Sequence, residues 1–441
     1  MSRRWRYSDA RSCRCSRIPT PSPWKSRCLR SRNTIEDRKA ATATERKFLM
    51  NTSAGTLGAE SKKWVEIAES LAQEKFAPRA KEIDEESRFP VENYQELADA
   101  GLLSLMVPKE FGGIGADSLT YVTVLSKIAK GCASTGLTFN MHSAVVDFLG
   151  QIASKEQMER YFSEVVNNGA IFASITSEPG SSFRDKLAVR TSIREDNGLY
   201  RLQGKKHFCS LSTGATYYFT WSYLDGAETL QEGLLNVMIP SARENIEILD
   251  DWHTIGMRGT ASNSLMFHDV AVKPDEIIGE PGSILGKDMS MWSLGYTAVY
   301  IGIAEAAYQF TVDYVKKTKS GMGVPLGELD RTQRQIGEMA MLLENARRAA
   351  EKLGALRGNL GKMELTFILN QAKYLATEAA KELAEQGIRL CGGRGLHRSL
   401  PIERHLRDAV AGIVMPPAND RCLETIGQIA LGREAKTLDF Q

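Results

Sequence analysis

The chain has 441 residues, 42% of them hydrophobic and 25% charged, which excludes a disordered chain, a collagen-like chain and a disulfide-dense scaffold. This length is more than one core can fill, so two or three domains are expected, and no apolar run reaches the roughly 20 residues of a membrane span. The net charge is only +2, but residues 1–50 hold 14 Lys+Arg against 4 Asp+Glu, so the remainder carries −8 and offers no footprint for nucleic acid.

The basic segment is Arg- and Ser-rich and holds three of the seven cysteines (Cys13, Cys15, Cys28). It has no apolar core of a secretory signal. It reads as an organelle transit peptide, a nucleic-acid-binding tail, or a disordered stretch upstream of a true start at Met50. Cys132, Cys209, Cys391 and Cys422 lack CxxC spacing and read as reduced thiols of a cytoplasmic protein.

From about 59 to 167 the apolar period is helical, with Trp64, Ile67, Ala68 and Leu71 on one stripe. Further helices are expected over 91–103, 119–130 and 136–150, interrupted by the Pro/Gly loop Pro108 to Gly115. From 168 to 283 the period shortens. Runs rich in β-branched and aromatic residues at 170–176, 187–193, 199–203, 216–222, 234–239 and 264–272 read as strands. Asp-Asn-Gly at 196–198 and Asp-Gly at 225–226 mark turns between them. From 284 to 432 long helical segments return, at 298–318, 330–357 and 365–391, enough for a bundle. The expected fold is α+β: a basic extension (1–58), a helical domain (59–167), a mostly antiparallel β-domain (168–283), a four-helix-type bundle (284–432) and a short tail (433–441).

Most catalytic signatures are missing: no GxSxG, HExxH, Walker loop or GxGxxG opening a helix. The six histidines have no metal-ligand spacing. Three stretches remain. Ser174-Ile-Thr-Ser-Glu-Pro-Gly-Ser-Ser182 ends a strand in a hydroxyl-rich loop that offers N–H and O–H groups to a ring edge or a phosphate. Gly204 to Gly214 places the flat face of Phe208 two residues before Ser210, a pairing that stacks on a planar cofactor and bonds its edge. Arg389-Leu-Cys-Gly-Gly-Arg-Gly395 permits close approach of backbone to a ligand. Taken singly, each is also an ordinary turn, core residue or helix cap.

Their order within a helical–β–helical chain resembles the acyl-CoA dehydrogenase superfamily of flavoproteins, from about 59 to 432. The blocks that carry the resemblance are Val107-Pro-Lys-Glu-Phe-Gly-Gly-Ile-Gly115, Thr176-Ser-Glu-Pro-Gly180 and Leu202-Gln-Gly-Lys-Lys206. They continue with Ile255-Gly-Met-Arg-Gly-Thr260, Phe267-His-Asp-Val-Ala-Val272, Gly392-Gly-Arg-Gly395 and Pro401-Ile-Glu-Arg-His-Leu-Arg-Asp408. The resemblance implies FAD between the β-domain and the bundle, in a homo-oligomer (tetramer or dimer) whose flavins are each touched by a neighbouring subunit. It implies an acyl-CoA substrate, an electron-accepting flavoprotein partner and a place in lipid metabolism. By position, Ile175, Thr176 and Ser177 lie against the ring. Phe208 and Ser210 stand where the family has Trp and Thr. Arg389, Gly392 and Gly393 take the adenine and pyrophosphate end.

The chain departs from the family where the chemistry is done. The family's proton-abstracting Glu, eight residues past the Arg-Asp motif, falls on Pro416. The alternative position, at the start of the first bundle helix, falls near Trp292. The flavin-contacting Arg falls in Lys316-Lys-Thr-Lys-Ser320, and the hydroxyl on the thioester side near Phe183. Asp420 and His142 are the remaining candidates for a base. The expected function is an FAD-dependent acyl-CoA dehydrogenase with a relocated base, oxidising the Cα–Cβ bond of an acyl-CoA thioester; the alternatives are a reduced-flavin monooxygenase acting on a sulfur or nitrogen compound and a non-catalytic acyl-CoA- or flavin-binding relative.

Overall fold

The computed structural model describes residues 57–179, 189–433 and 435. Most of the basic extension, most of the tail, and Phe183 lie outside the described residues.

The first domain is helical. Helix α1 (Ala59–Leu71) runs through a π-type turn (Ala72–Phe76) into α2 (Ala77–Glu86). Pro78, in the first turn of α2, has no N–H for the carbonyl one turn earlier, which accounts for the local widening. After α3 (Val91–Asp99), α4 (Ser118–Gly131) starts at Asp117, whose carboxylate accepts from the Thr120 N–H at 2.7 Å. Helix α5 (Ala133–Ile152) is buried along nearly its whole length, because it packs on α4, on the sheet and on the bundle. Its small residues allow this: a Cβ on Gly136 would stand 2.5 Å from that of Ala129. Helix α6 (Lys155–Asn168) opens with a capping box of Ser154 and Gln157 and closes on Gly169 at φ +64°.

The middle domain is one eight-stranded sheet: β1 (Phe172–Ser174), β2 (Ser192–Asp196), β3 (Leu199–Lys206), β4 (Tyr217–Leu224), β5 (Leu234–Pro240), β6 (Ile246–Ile248), β7 (Leu265–Val272) and β8 (Ile277–Ile278). The order is β6-β7-β3-β2-β4-β5-β8, with β1 also on β4. Strands β6 and β8 are too short to show a period and escaped the sequence reading. The β2–β3 hairpin turns through Asn197 and Gly198, both at positive φ, as the Asn-Gly pair predicts. Strand β4 is buried through Tyr218–Ser222, not alternating, since both of its faces are covered. One cover is α5, whose Phe148 meets Phe219 edge-on at 5.9 Å.

A short helix, α7 (Leu230–Gly233), precedes β5. The last domain holds α8 (Ser290–Lys317), α9 (Asp330–Leu356), α10 (Lys362–Cys391), α11 (Ile402–Val414) and α12 (Asn419–Ala430), with α8 and α10 at its centre.

The three layers are pinned at one point. Arg407 on α11 bonds Asp84 of α2 through both terminal guanidinium nitrogens, at 2.8 and 2.6 Å, and the Ile255 carbonyl at 2.9 Å. Asp408 accepts from the Met257 N–H at 2.7 Å. A Cβ on Gly256 would sit 2.1 Å from the Arg407 carbonyl, so the Gly-Met-Arg-Gly turn needs glycine there. Two of the blocks noted in the sequence are therefore halves of one latch.

Candidate functional site

The site begins at a break in the sheet. Strands β1 and β2 pair with the same edge of β4, β1 against 217–219 and β2 against 223–224. Of the described residues between them, Ile175–Pro179 and Val189–Thr191 are not in strands. Lys206, at the end of β3, reaches into this break. Its ammonium donates to Glu178 at 2.5 Å and to the Trp221 carbonyl of β4 at 2.7 Å. Glu178 also accepts from the N–H groups of Arg190 (2.6 Å) and Thr191 (3.1 Å). Both side chains are sealed from solvent, at 0% and 2% exposure. Burial pushes the Glu178 carboxyl up, but Lys206 and the N–H bonds outweigh it and hold it below its ordinary value. This pair sets the path of Ile175–Ser177. Both residues lie in the sequence blocks above, yet no short-range pattern linked them.

From Ser177 the site crosses to the segment after β3. The His207 N–H donates to the Ser177 carbonyl at 2.9 Å. Phe208 lies beyond the end of β3, in a left-handed turn at φ +54°. Cys209 and Leu211 are thereby buried, while the Phe208 ring is held 67% exposed, edge-on to Trp252 at 6.3 Å. A bulky residue in that conformation stores strain, and an apolar ring held in water is a further cost. Ser210, two residues on, is bonded to Ser262, and Ser262 to Thr260. An exposed flat ring next in the chain to a buried row of hydroxyls fits a planar heteroaromatic cofactor such as a flavin. Ser177, Phe208 and Ser210 are brought together; Ile175 and Thr176 lead into them.

The bundle meets the end of β1. Trp292, in the first turn of α8, donates its Nε1–H to Ser174 at 3.2 Å and meets Phe148 edge-on. Asn140 of α5 fixes this turn by donating to the Trp292 carbonyl at 3.1 Å. One turn on, burial pushes the Tyr296 phenol up to about 12. The Pro416 stretch is held from below. Lys373, pushed down to about 8 by burial, donates to the Gly412 carbonyl and to Asn419 at 2.8 and 2.7 Å.

The base candidates separate. Asp420 is exposed in the first turn of α12. His142 is a core residue of α5, and this corrects its candidacy: its Nε2–H donates to the Leu103 carbonyl at 2.9 Å, and its Nδ1 accepts from the Phe172 N–H at 3.0 Å. Neither ring nitrogen is left for a substrate. Burial lowers it from 6.5 to about 4. A buried neutral imidazole contributes stability that is complete above pH 6.5 and lost as pH falls toward 4, on the order of 3 kcal/mol. Urea titrations should show that loss in the wild type and a shallower pH dependence in His142→Gln.

Arg389 is exposed and ion-paired to Glu385 of its own helix, and open space surrounds Gly392 and Gly393 at the end of α10. No hydrogen bond or ion pair among the described residues joins them to the 175–177 or 207–210 segments. Among the described residues there is also no cluster of His, Cys, Asp and Glu able to hold a metal, and no helix long and apolar enough to cross a membrane.

With this geometry in view, the comparisons with known proteins agree on a family. Models of the acyl-CoA dehydrogenase N-terminal, middle and C-terminal domains match residues 58–168, 173–270 and 288–416. The chain belongs to the acyl-CoA dehydrogenase family of flavoprotein oxidoreductases, and its three-domain α+β fold is that family's. It is 29% identical to the human mitochondrial short-chain specific acyl-CoA dehydrogenase, over 78% of this chain and 84% of that one. It is 32% identical to the dibenzothiophene monooxygenase of Rhodococcus erythropolis, over 78% and 87%. Butyryl-CoA dehydrogenase from Megasphaera elsdenii superposes with a TM-score of 0.78 at 22% identity, covering 86% of this chain and 99% of that one. FMN-bound TdsC, a dibenzothiophene monooxygenase from Paenibacillus sp. A11-2, gives 0.78 at 24%, with the same coverage. At these identities the two structures speak to the fold alone.

Proposed function

We propose that this chain is a reduced-flavin-dependent monooxygenase on the acyl-CoA dehydrogenase fold, acting on a small, largely apolar sulfur or nitrogen compound. The observation that carries this reading is the occupant of each family base position. Pro416 stands at one and Trp292 at the other. Both are pinned, Pro416 by the Lys373–Asn419 contacts that flank it and Trp292 by Ser174 and Asn140. Removal of an α-proton from an acyl thioester needs a carboxylate within about 2.6–3.2 Å, directly or through one water. Oxygen transfer needs none: a bound reduced flavin would supply the two electrons with which O₂ gives one oxygen atom to the substrate and the other to water. Phe208 and the 175–177 segment would hold the ring, and Trp292 and Tyr296 would help to keep water out. FAD is the proposed flavin, with Arg389, Gly392 and Gly393 of a second copy at its adenine and pyrophosphate end. FMN would leave that end unused.

The second reading is oxidation of the Cα–Cβ bond of an acyl-CoA, with Asp420 as the base and a flavoprotein as electron acceptor. It is supported by the likeness to the short-chain dehydrogenase. The proposed compartment is the cytoplasm; the four cysteines among the described residues are free and buried, as in a reducing environment.

One experiment separates the readings. The protein is given reduced FAD or FMN without air, then O₂ and a panel of thiophenes, sulfides and indoles. Oxygenated product in step with O₂ uptake is the expected result. Bleaching of bound flavin by an acyl-CoA without O₂ would establish the second reading, and an order-of-magnitude loss in Asp420→Asn would then name the base.

A further inference from the structure

Helix α5 starts without acceptors for its first amides. Cys132, at its N-cap position, makes no capping hydrogen bond, and the thiol it brings near Thr135 is a weak acceptor. The first amide to reach a carbonyl is that of Gly136, on Cys132 at 2.9 Å. Ala133 and Ser134 are buried, and their N–H groups have no partner among the described residues. A cavity of about 10 Å³ lies against this helix start, lined also by the end of α4, by Asp84 of α2 and by Arg404, His405 and Asp408 of α11. Two buried side chains bring unpaired oxygens to it. The Ser134 hydroxyl, 7% exposed, makes no hydrogen bond among the described residues. Asp408, 4% exposed, uses Oδ1 on the Met257 N–H, and nothing among the described residues donates to its Oδ2. Both Asp84 oxygens are taken by Arg407, at 2.8 and 2.6 Å. Arg404 brings only donors. Burial, with Arg404 beside it, pushes His405 down to about 3, so that ring is neutral.

We propose that this cavity binds one structural water, which accepts from the first α5 amides and donates to Oδ2 of Asp408. Helix α11 thereby caps α5 through the water, with Asp408 as the positioning residue. The volume suits a single water, and such a site needs two to four polar partners. The mix of partners selects the occupant. A halide would accept from the amides, Ser134 and Arg404, but would stand against the Asp408 carboxylate. A metal cation would face amide protons at the positive end of a helix. Water accepts on one side and donates on the other. The cap matters beyond the helix start, because α5 carries Asn140, whose amide holds the Trp292 carbonyl at 3.1 Å. No flavin or substrate is needed for this cap to form.

Crystals of the full chain grown in bromide test the occupant directly. The expected result is density for one water within about 3.2 Å of an α5 amide and of Asp408, with no anomalous signal. An anomalous bromide peak there, or no density, overturns the proposal. Amide hydrogen exchange at Gly136 and Leu137 tests the cap in solution. Asp408→Asn keeps an acceptor for Met257 but turns an NH₂ group toward the cavity, so three donors meet the two lone pairs of one water. Exchange at the α5 start should rise roughly tenfold. Adding Cys132→Ser, a hydroxyl that accepts directly at the N-cap, should reverse most of that rise. If Asp408 serves only the Met257 turn, Asp408→Asn speeds exchange around Met257–Thr260 instead and Cys132→Ser rescues nothing, which sinks the water cap. Unchanged exchange at Gly136 and Leu137 in Asp408→Asn does the same.

Discussion

Lys206→Met is expected to be among the most damaging single substitutions in the chain, at a cost of about 3–5 kcal/mol. It removes the cation from a Glu178 carboxylate that is 2% exposed, and takes a donor from the Trp221 carbonyl. The methionine fills much the same volume, so the loss is electrostatic. The urea midpoint should fall, and flavin affinity with it, because the 175–179 segment loses its anchor. The pH dependence has a definite sign. The wild-type Glu178 value lies below 4.5, so its contribution is present above that pH and fades as pH falls through the folded value. The deficit of Lys206→Met should accordingly be full at neutral pH and narrow below about pH 4.5. Removing both charges, in Glu178→Leu with Lys206→Met, should recover much of the loss, since two absent charges cost less than one stranded charge. If Lys206→Met unfolds at the wild-type midpoint, the pair does not hold the break in the sheet.

The second large effect separates stability from binding. Phe208→Ala should weaken flavin binding by roughly tenfold, the loss of one stacked face with its buried area. The flavin-free protein should not suffer, because the ring is 67% exposed and contributes little to the core. Phe208→Gly should even stabilise it by about 1 kcal/mol, through relief of the φ +54° conformation. Flavin titration and urea unfolding on the same two variants read both effects. Unchanged flavin affinity would remove Phe208 from the site.

The relation between His142 and Pro416 shows how far each kind of reading extends. Pro416 declared itself by chemistry, since a proline where a proton acceptor is expected needs no coordinates to be noticed. His142 looked available because a lone histidine in a helical run carries no sign of its partners. Only the fold reveals that its two nitrogens tie the 102–104 turn to β1. Phe208 and Ser210 were legible as a pair; that Ser210 is oriented by Ser262, 52 residues away, was not.

What the sequence determined by itself was local: the change of apolar period near 168 and near 284, the Asn197-Gly198 turn, and the blocks that mark the family. These follow from side-chain pattern and backbone preference over a few residues, which act before any distant contact forms. The tertiary structure decided who meets whom. The break in the sheet exists because β1 and β2 share one edge of β4, and only that topology turns Lys206 and Glu178 into a buried pair. Arg407 finds Asp84 across 323 residues, and Asp408 finds Met257 across 151. Periodicity reports that a residue will be buried, but not which partner satisfies it there. That choice is set by strand order and helix packing, because a buried charge or hydroxyl must be paired by whatever group the topology brings within about 3 Å.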